Sequence, residues 1–295
     1  MFELGNLKIL ISPREQQLIL EAVVPVQCLD HTMRLVIIFR WSLCIQMNKH
    51  VLIRLFATWL TTFVWLPVSA AEPDLKVFDR LLEKYVAPGE KQGLTVNLVD
   101  YPGFSSDPRF ALVVEQIRAF DVNELTSDDE KLAFYINAYN ILTIQLILDN
   151  WPIKSIRDIG GLFKGPWDYV MLENADGKLT LDDIEHKIIR PLGDPRIHFA
   201  VNCASLSCPD LPMKSFKSAT VRQQLEEGAL RFFQHKGKGA YLKGNTLHVT
   251  KLLDWYGEDF DAGGGIEVFL RQYVPGVAFK KVDADIDYSW SLNTQ

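Results

Sequence analysis

Cysteine is scarce in this sequence, and so is surplus positive charge. Four cysteines in 295 residues are too few for a disulfide scaffold. Lysine and arginine number 31 against 37 aspartates and glutamates, so the net charge of −6 leaves no basic surplus to neutralise phosphates, and we expect no nucleic-acid partner. Hydrophobic residues make up 48% and charged residues 23%, and this ordinary globular usage excludes a disordered or collagen-like chain.

Motifs that identify an activity directly are also missing. The sequence has no glycine-rich phosphate loop, no GxSxG elbow and no HExxH zinc motif. The glycines at 263–265 are followed by no lysine and indicate a turn before a helix. We therefore expect no cofactor, and the function has to be inferred from less specific signals.

Residues 47–71 have the parts of a secretory signal peptide. A basic start at 47–54 leads into an apolar stretch at 55–66, which Pro67 and a small-residue ending at Ala71 follow. The apolar stretch is shorter than the roughly 20 residues that span a bilayer. We expect cleavage near Ala71, a periplasmic or secreted protein, and membrane contact only through the signal peptide before cleavage. An uncleaved anchor or a buried helix is the alternative.

A signal peptide begins a protein, yet 46 residues precede Met47. We expect that Met47 is the true start, that residues 1–46 are a misassigned upstream extension, and that residues 72–295 are the mature domain. Of the four cysteines, only Cys203 and Cys208 lie in that domain. Export would place them in an oxidising compartment, where two thiols can pair.

The mature part predicts a single mixed α+β domain, in which a central apolar helix packs on short antiparallel hairpins. Ser127 and Glu130 form a capping box that opens the strongest helix, 128–150, which is apolar nearly all round and should lie at the centre. Arg196 to Asn202 alternates like a strand, and so does Tyr288 to Leu292. Further helices are predicted at 108–125, 181–190, 218–235, 250–256 and 266–273, and hairpins at 167–181 and 241–249.

The densest set of reactive side chains lies between Asp182 and Cys208. A thiol nucleophile needs a nearby base and an orienting carboxylate or amide. Cys203 follows the predicted strand 196–202, and His186 and His198 are the candidate bases. His198 reaches the thiol only if the chain bends, so we favour His186 from the neighbouring helix.

The other members of this catalytic set are expected to assist the thiol. Glu185 or Asp194 would orient the histidine ring, and Asn202 with nearby backbone N–H groups would hold an oxyanion. Two alternatives stay open. Cys203 and Cys208 enclose only four residues and can close a disulfide, which would remove the nucleophile. A zinc site from His186, His198 and both cysteines matches no standard spacing, so we predict no metal.

Polar side chains inside the apolar helix are candidates for substrate binding. Asn137 and Asn140 share a helix face, and Tyr139 lies between them. A buried amide without a partner costs about 1–3 kcal/mol, so these amides must bind either loop backbone or a substrate. Arg196 is a further candidate for substrate binding.

Five stretches carry a family resemblance: LAFYINAYNILT (132–143), LDDIEHKIIR (181–190), DPRIHFAVNCASLSCP (194–209), LLDWYGEDF (252–260) and YSWSLN (288–293). They resemble the domain of unknown function 547, from roughly residue 100 to the C-terminus. The resemblance implies kinship and leaves the mechanism open, because the family has no established activity. The matching motif positions are Asn137, Asn140, Glu185, His186, Arg196, His198, Asn202, Cys203 and Cys208.

Two functions are consistent with these patterns. The first is a thiol hydrolase or transferase that acts on peptide or amide bonds of a peptide or small-molecule substrate. The second is a non-catalytic envelope-interaction domain, in which a Cys203–Cys208 disulfide locks the loop.

Overall fold

The computed structural model describes residues 2–4, 7–9, 72–161 and 164–295. The chain divides into two units, Met1–Val68 and Ser69–Gln295. In the first unit, Phe2–Leu4 pairs antiparallel with Leu7–Ile9. The predicted signal peptide at 47–71 and most of the predicted upstream extension at 1–46 lie outside the described residues.

The second unit combines helices with small sheets, which confirms the predicted mixed α+β domain. Its α-helices cover Lys76–Tyr85, Tyr101–Ser106, Pro108–Ala119, Asp128–Asp149, Leu181–Asp183, Val221–Gln234, Leu252–Trp255 and Ile266–Tyr273. Its strands are Val86–Lys91, Leu94–Val99, Val170–Asn174, Gly177–Thr180, Ala240–Lys243, Thr246–Thr250 and Lys281–Ile286. The first four strands form two antiparallel hairpins, and the last three form one sheet in which the final strand is parallel to its neighbour.

The helix Asp128–Asp149, here called the core helix, organises the larger hydrophobic cluster. The predicted capping box is confirmed, since the Ser127 hydroxyl accepts from the Glu130 N–H and the Glu130 carboxylate accepts from the Ser127 N–H. The helix is long and apolar enough to cross a membrane, but 83% of its most apolar stretch is buried inside this domain. Its hydrophobicity is therefore explained by packing within the protein.

A second cluster forms around the aromatic rings of Phe199, Phe233 and Phe269. Phe199 belongs to this cluster, whereas its neighbours Ile197 and Ala200 belong to the core-helix cluster. The chain after Pro195 thus runs between the two cores, and this position leaves it buried on both sides.

The predicted strand Arg196 to Asn202 is wrong. The structure has a 3₁₀-helix at Pro195–Phe199, opened by the Asp194 side chain, which accepts from the Arg196 N–H. The alternation of residue types does not indicate a strand here, because the side chains at both the odd and the even positions are buried. It therefore does not separate a solvent-facing side from a core-facing side.

The predicted terminal strand, Tyr288 to Leu292, is also wrong. This stretch makes isolated bridges, from Ser291 to Ser155 and from Leu292 to Ser205, and belongs to no sheet. The regular strand lies earlier, at Lys281–Ile286. The consequence is that residues 288–293, here called the C-terminal segment, run beside the loop that carries both thiols.

The predicted helix 181–190 is present, but its middle turns are wider than those of an α-helix. It begins as an α-helix at Leu181–Asp183, continues as a π-helix at Ile184–Ile189 and ends in a 3₁₀ turn at Arg190–Leu192. Wide turns of this kind are frequent at functional sites. This one carries the buried Glu185.

Candidate functional site

Residues 203–212, here called the thiol loop, are fixed by two asparagines. The Asn140 side chain accepts from the Asn202 N–H at 2.7 Å and donates to the Ala200 carbonyl at 3.1 Å. The Asn202 amide in turn donates to the Pro209 carbonyl at 2.6 Å and accepts from the Ala204 N–H at 3.0 Å. These bonds hold both ends of the loop together, which brings its two cysteines side by side.

The sequence predicts that the two helix asparagines bind either loop backbone or a substrate. Asn137 donates to the Phe216 carbonyl and accepts from its N–H, both at 2.8 Å, so both helix amides are occupied by loop backbone. The structure therefore favours the backbone alternative over substrate binding for Asn137 and Asn140. The Asn202 side-chain amide also binds loop backbone, and Asn202 does not line the pocket described below.

The Cys203 thiol is surrounded by polar groups that lower its pKa. Its Sγ lies 2.6 Å from the Cys208 Sγ and 3.3 Å from the hydroxyls of both Ser205 and Tyr288. Burial raises the pKa of Cys203, but hydrogen bonds from Cys208, Ser205 and Tyr288 outweigh it and lower the pKa to about 7. Both cysteines are free thiols, and Cys203 is the partly exposed one.

The pKa of Cys208 is shifted in the opposite direction from that of Cys203. Its side chain is buried, and burial together with the neighbouring Cys203 sulfur raises its pKa well above the ordinary thiol value. It also accepts from the Cys203 N–H at 2.8 Å. Cys208 therefore stays protonated and serves as a donor to the more acidic Cys203.

His198 is held by a carboxylate and an aromatic ring. Its Nε2 lies 2.6 Å from the Asp259 Oδ2, and its ring stacks on Tyr256 with centroids 3.9 Å apart. Arg190 clamps the same carboxylate with two hydrogen bonds of 2.7 Å. Burial disfavours the charged ring more than Asp259 favours it, and the pKa of His198 falls to about 4.

The neutral ring leaves one nitrogen without a partner. We assign the proton to Nε2 because that atom faces the Asp259 carboxylate. Nδ1 is then an acceptor; it is buried and has no hydrogen-bond partner among the described residues. It lies 3.9 Å from the Glu185 Oε1.

Glu185 is a buried carboxyl group next to that nitrogen. Burial raises its pKa, partly opposed by the charge of His186 and by hydrogen bonds from the hydroxyls of Tyr256 and Tyr139. A carboxyl group with a raised pKa can donate a proton at neutral pH and take it back later.

Cys203, Glu185 and His198 face one small pocket with a volume of about 60 Å³. A space of this size admits water or a small group of a substrate. The other lining residues are mostly aromatic or apolar: Tyr139, Trp167, Val201, Cys208, Pro209, Leu252, Trp255, Tyr256, Tyr288 and Trp290. The predicted Tyr139 is thus in the pocket, through contact with Glu185.

Two other predicted residues lie elsewhere. His186 accepts from the Arg190 Nη1 at 2.7 Å and lies 3.4 Å from Asp182, and it is not part of the pocket wall. Arg196 is bound to Asp194 and Glu226 and does not line the pocket either. The geometry therefore favours His198 over His186 as the histidine that acts beside Cys203.

The carboxylate expected to orient the histidine also differs from the prediction. Asp194 is engaged by Arg196 and Arg222, whereas Asp259 holds His198. Within residues 72–161 and 164–295, the side chains close enough to share a metal ion are His248, Asp283 and Asp285, a set that includes neither thiol.

Sequence reasoning missed Asp259, Tyr256 and Tyr288, which come from chain distant from the thiol loop. Two of the resemblance stretches, LLDWYGEDF and YSWSLN, contain all three. The family resemblance therefore included these residues. Neither stretch contains a nucleophile next to a base, so spacing within the sequence could not assign the three residues to the site.

Comparison with known proteins gives one match. Residues 122–233 match a family model described as "Protein of unknown function, DUF547". The matched region contains the core helix, Glu185, His198 and both thiols, and it ends before Asp259 and Tyr288. Neither the curated proteins nor the solved structures give a match.

Proposed function

We propose that the unit Ser69–Gln295, in which residues 122–233 match the DUF547 family model, is a cysteine-dependent hydrolase or transferase that acts on peptide or amide bonds. The proposal rests on one observation: a thiol with its pKa lowered to about 7 shares a pocket with a buried carboxyl group of raised pKa and a histidine held by a carboxylate. Groups of opposite pKa tendency in one cavity are typical of acid–base and nucleophilic catalysis.

Each group has a defined role in this proposal. The Cys203 thiolate attacks the amide carbon, and the protonated Glu185 gives its proton to the departing nitrogen. The Tyr288 hydroxyl, which lines the pocket 3.3 Å from the Cys203 sulfur, donates to the developing oxyanion. Glu185, now a carboxylate, then removes a proton from the water or amine that attacks the thioester.

His198 is expected to act mainly as an acceptor. Its lowered pKa makes it a weak base, but its free Nδ1 can bind an N–H or O–H of the incoming group. Asp259 keeps the ring in the tautomer that exposes this nitrogen.

Acylation of Cys203 by a reactive ester tests the function without knowledge of the substrate. We expect p-nitrophenyl acetate to give a burst of p-nitrophenol and an acetyl group on Cys203, located by peptide mass spectrometry. Cys203→Ser should abolish the burst, and His186→Gln, outside the pocket, should retain it. An acetyl group on other residues, with none on Cys203, would refute the proposed nucleophile.

A second candidate function is favoured by the 2.6 Å contact between the two sulfurs. A covalent bond would need an approach to about 2.05 Å, and it would make the loop a locked, non-catalytic interaction surface. Mass spectrometry of the purified protein, alkylated without reduction, separates the two cases. A two-hydrogen deficit across Cys203 and Cys208 in every molecule would support the locked domain.

We further propose that the domain acts outside the cytoplasm. The pattern of residues 47–71 supports this, although these residues lie outside the described part of the structure. N-terminal sequencing of protein from a periplasmic or culture fraction tests the proposal. Absence of the protein from both fractions would contradict the location, and a mature N-terminus upstream of Met47 would contradict Met47 as the true start.

A further inference from the structure

We propose that the amine side of the substrate, whether it leaves an amide or accepts the acyl group, is a primary amine that binds between Glu185 and His198. This inference rests on the proposed acyl-transfer function and specifies the group that the pocket takes. It follows from the hydrogen-bond donors and acceptors of the pocket that have no partner within the protein.

Once Glu185 has given its proton to the leaving group, the free capacities in the pocket are acceptors. The His198 Nδ1 is buried and has no partner among the described residues, although a buried polar atom normally has one. The Glu185 carboxyl group faces it at 3.9 Å. The hydroxyls of Tyr139 and Tyr256 donate to Glu185, so their single protons are already in use.

The separation of the two acceptors fits one shared donor atom. A nitrogen placed about 2.8 Å from both Nδ1 and Oε1 sees them at an angle of about 90°, which is within the spread of bonded geometry around an amine. An ammonium group has three donors and no acceptor. Two of its N–H groups would satisfy Glu185 and His198, and the third would face the Cys203 sulfur.

The charge of the pocket also favours an amine over an anionic group. Among the described residues that line it, there is a carboxyl group and an acidic thiol but no lysine or arginine. The two nearby arginine contacts are outside the wall: Arg190 is bound to Asp259, and Arg157 lies over Trp290. An anionic group would therefore meet repulsion from the Cys203 thiolate, whereas the nearest cations, Arg190 and Lys238, lie behind the wall and are bound to Asp259 and Asp210.

The entrance adds a preference for cations. Trp255 is 46% exposed and packs against Tyr288 and Trp290, with ring centroids 4.8 and 5.9 Å away. Aromatic faces attract ammonium groups, with tryptophan the most effective. The rim would thus favour an incoming amine, and the small pocket volume limits it to a slender group.

The transfer step balances with the groups present. The bound ammonium first gives one proton to solvent water. The neutral amine nitrogen then attacks the thioester carbon, the Glu185 carboxylate takes a second N–H proton, the C–N bond forms, and the C–S bond breaks to give back the Cys203 thiolate. The reverse sequence releases an amine from an amide, with the proton returning from Glu185 to nitrogen. No oxidant, reductant or further reactant is needed.

Charge-selective labelling of Cys203 tests this inference. The probes are three methanethiosulfonates of similar length that carry a primary ammonium, a trimethylammonium or a sulfonate group, and each rate is divided by the rate with 2-mercaptoethanol. We expect the primary ammonium to exceed the sulfonate by about tenfold or more after this normalisation, corresponding to about 1.4 kcal/mol. The trimethylammonium reagent, which has no N–H donor, should fall between them.

Variants assign the preference to particular groups. Glu185→Gln and His198→Gln should bring the ammonium rate close to the trimethylammonium rate, whereas His248→Gln, at a histidine bound to Asp285 away from the pocket, should change neither. Equal normalised rates for all three probes would overturn the inference and leave the nucleophile intact. A Cys203 that reacts with none of them would overturn both the inference and the proposed function.

Discussion

The hydroxyl of Tyr288 lies 3.3 Å from the sulfur of Cys203, although 85 positions separate the two residues. The contact exists because the C-terminal segment is hydrogen-bonded to the thiol loop, with the Leu206 N–H on the Ser291 carbonyl at 2.9 Å and the Asn293 N–H on the Ala204 carbonyl at 2.9 Å. The acidity of the thiol therefore depends on a contact that is remote in sequence.

Removal of that hydroxyl should make the thiol less acidic. A hydrogen bond to a charged group contributes about 1.5–3 kcal/mol, so Tyr288→Phe should raise the pKa of Cys203 by about one to two units. The pH dependence of the iodoacetamide rate measures the pKa. Tyr241→Phe, at a half-exposed tyrosine that does not line the pocket, is the matched control. An unchanged pH profile in Tyr288→Phe would show that the contact does not stabilise the thiolate.

Loss of the Asp259 carboxylate, which binds His198, should change the tautomer of the histidine ring more than it changes the fold. In Asp259→Asn the new amide can donate to Nε2, which favours the tautomer with the proton on Nδ1 and removes the free acceptor. We expect acylation of Cys203 to continue and the turnover of the acyl-enzyme to slow by about tenfold or more, within the range for general acid–base groups. Nitrogen-15 NMR of the ring reports the tautomer. Unchanged turnover with a changed tautomer would contradict the role given to Nδ1.

The buried histidine should make the stability depend on pH. Above pH 6.5, the ordinary pKa of histidine, this ring is neutral in both folded and unfolded chains, and its full contribution is present. Between pH 6.5 and about 4 only the unfolded chain takes up the proton, so the free energy of unfolding falls as the pH drops, by about 3 kcal/mol at most.

Urea unfolding at several pH values measures this dependence, and the comparison isolates the residue. The wild type should lose stability more steeply between pH 6.5 and 4 than His198→Gln does, whatever the absolute stability of the variant. Equal slopes would mean that another group dominates this pH range.

The core-helix asparagine should matter for structure. Asn140→Ala leaves the Asn202 N–H and the Ala200 carbonyl without their partners, and each buried orphan group costs about 1–3 kcal/mol. We expect a loss of about 3 kcal/mol in the free energy of unfolding, measured by urea titration. Gln145→Ala on the same helix, whose amide binds only Asp149, should cost less than about 1 kcal/mol. Similar losses in both variants would contradict the structural role.

The elements that could be predicted from sequence are those whose signals are local. The capping box at Ser127, the apolar core helix and the helix Ile266–Tyr273 follow from patterns within the segments themselves. The stretch 196–202 could not be assigned correctly, because burial on both sides arises from two separate cores that the local pattern does not encode.

The candidate site was predictable only in part for the same reason. Cys203, Glu185 and His198 lie close in sequence, and their reactive types marked the region. The selection among them needed contacts over long separations: Asp259 lies 61 positions from His198, and Tyr288 lies 85 positions from Cys203. The sequence therefore indicated which side chains compete for a role, and the tertiary contacts determine which ones share the pocket.

The position of the C-terminal segment has a consequence for biosynthesis. Cys203 and Cys208 leave the ribosome long before Tyr288 and Trp290 are added. Until residues 288–293 have emerged and docked, the nascent chain carries a thiol without the hydroxyl that helps to ionise it. The Cys203 thiol thus reaches its full acidity only when these last contacts of the chain have formed.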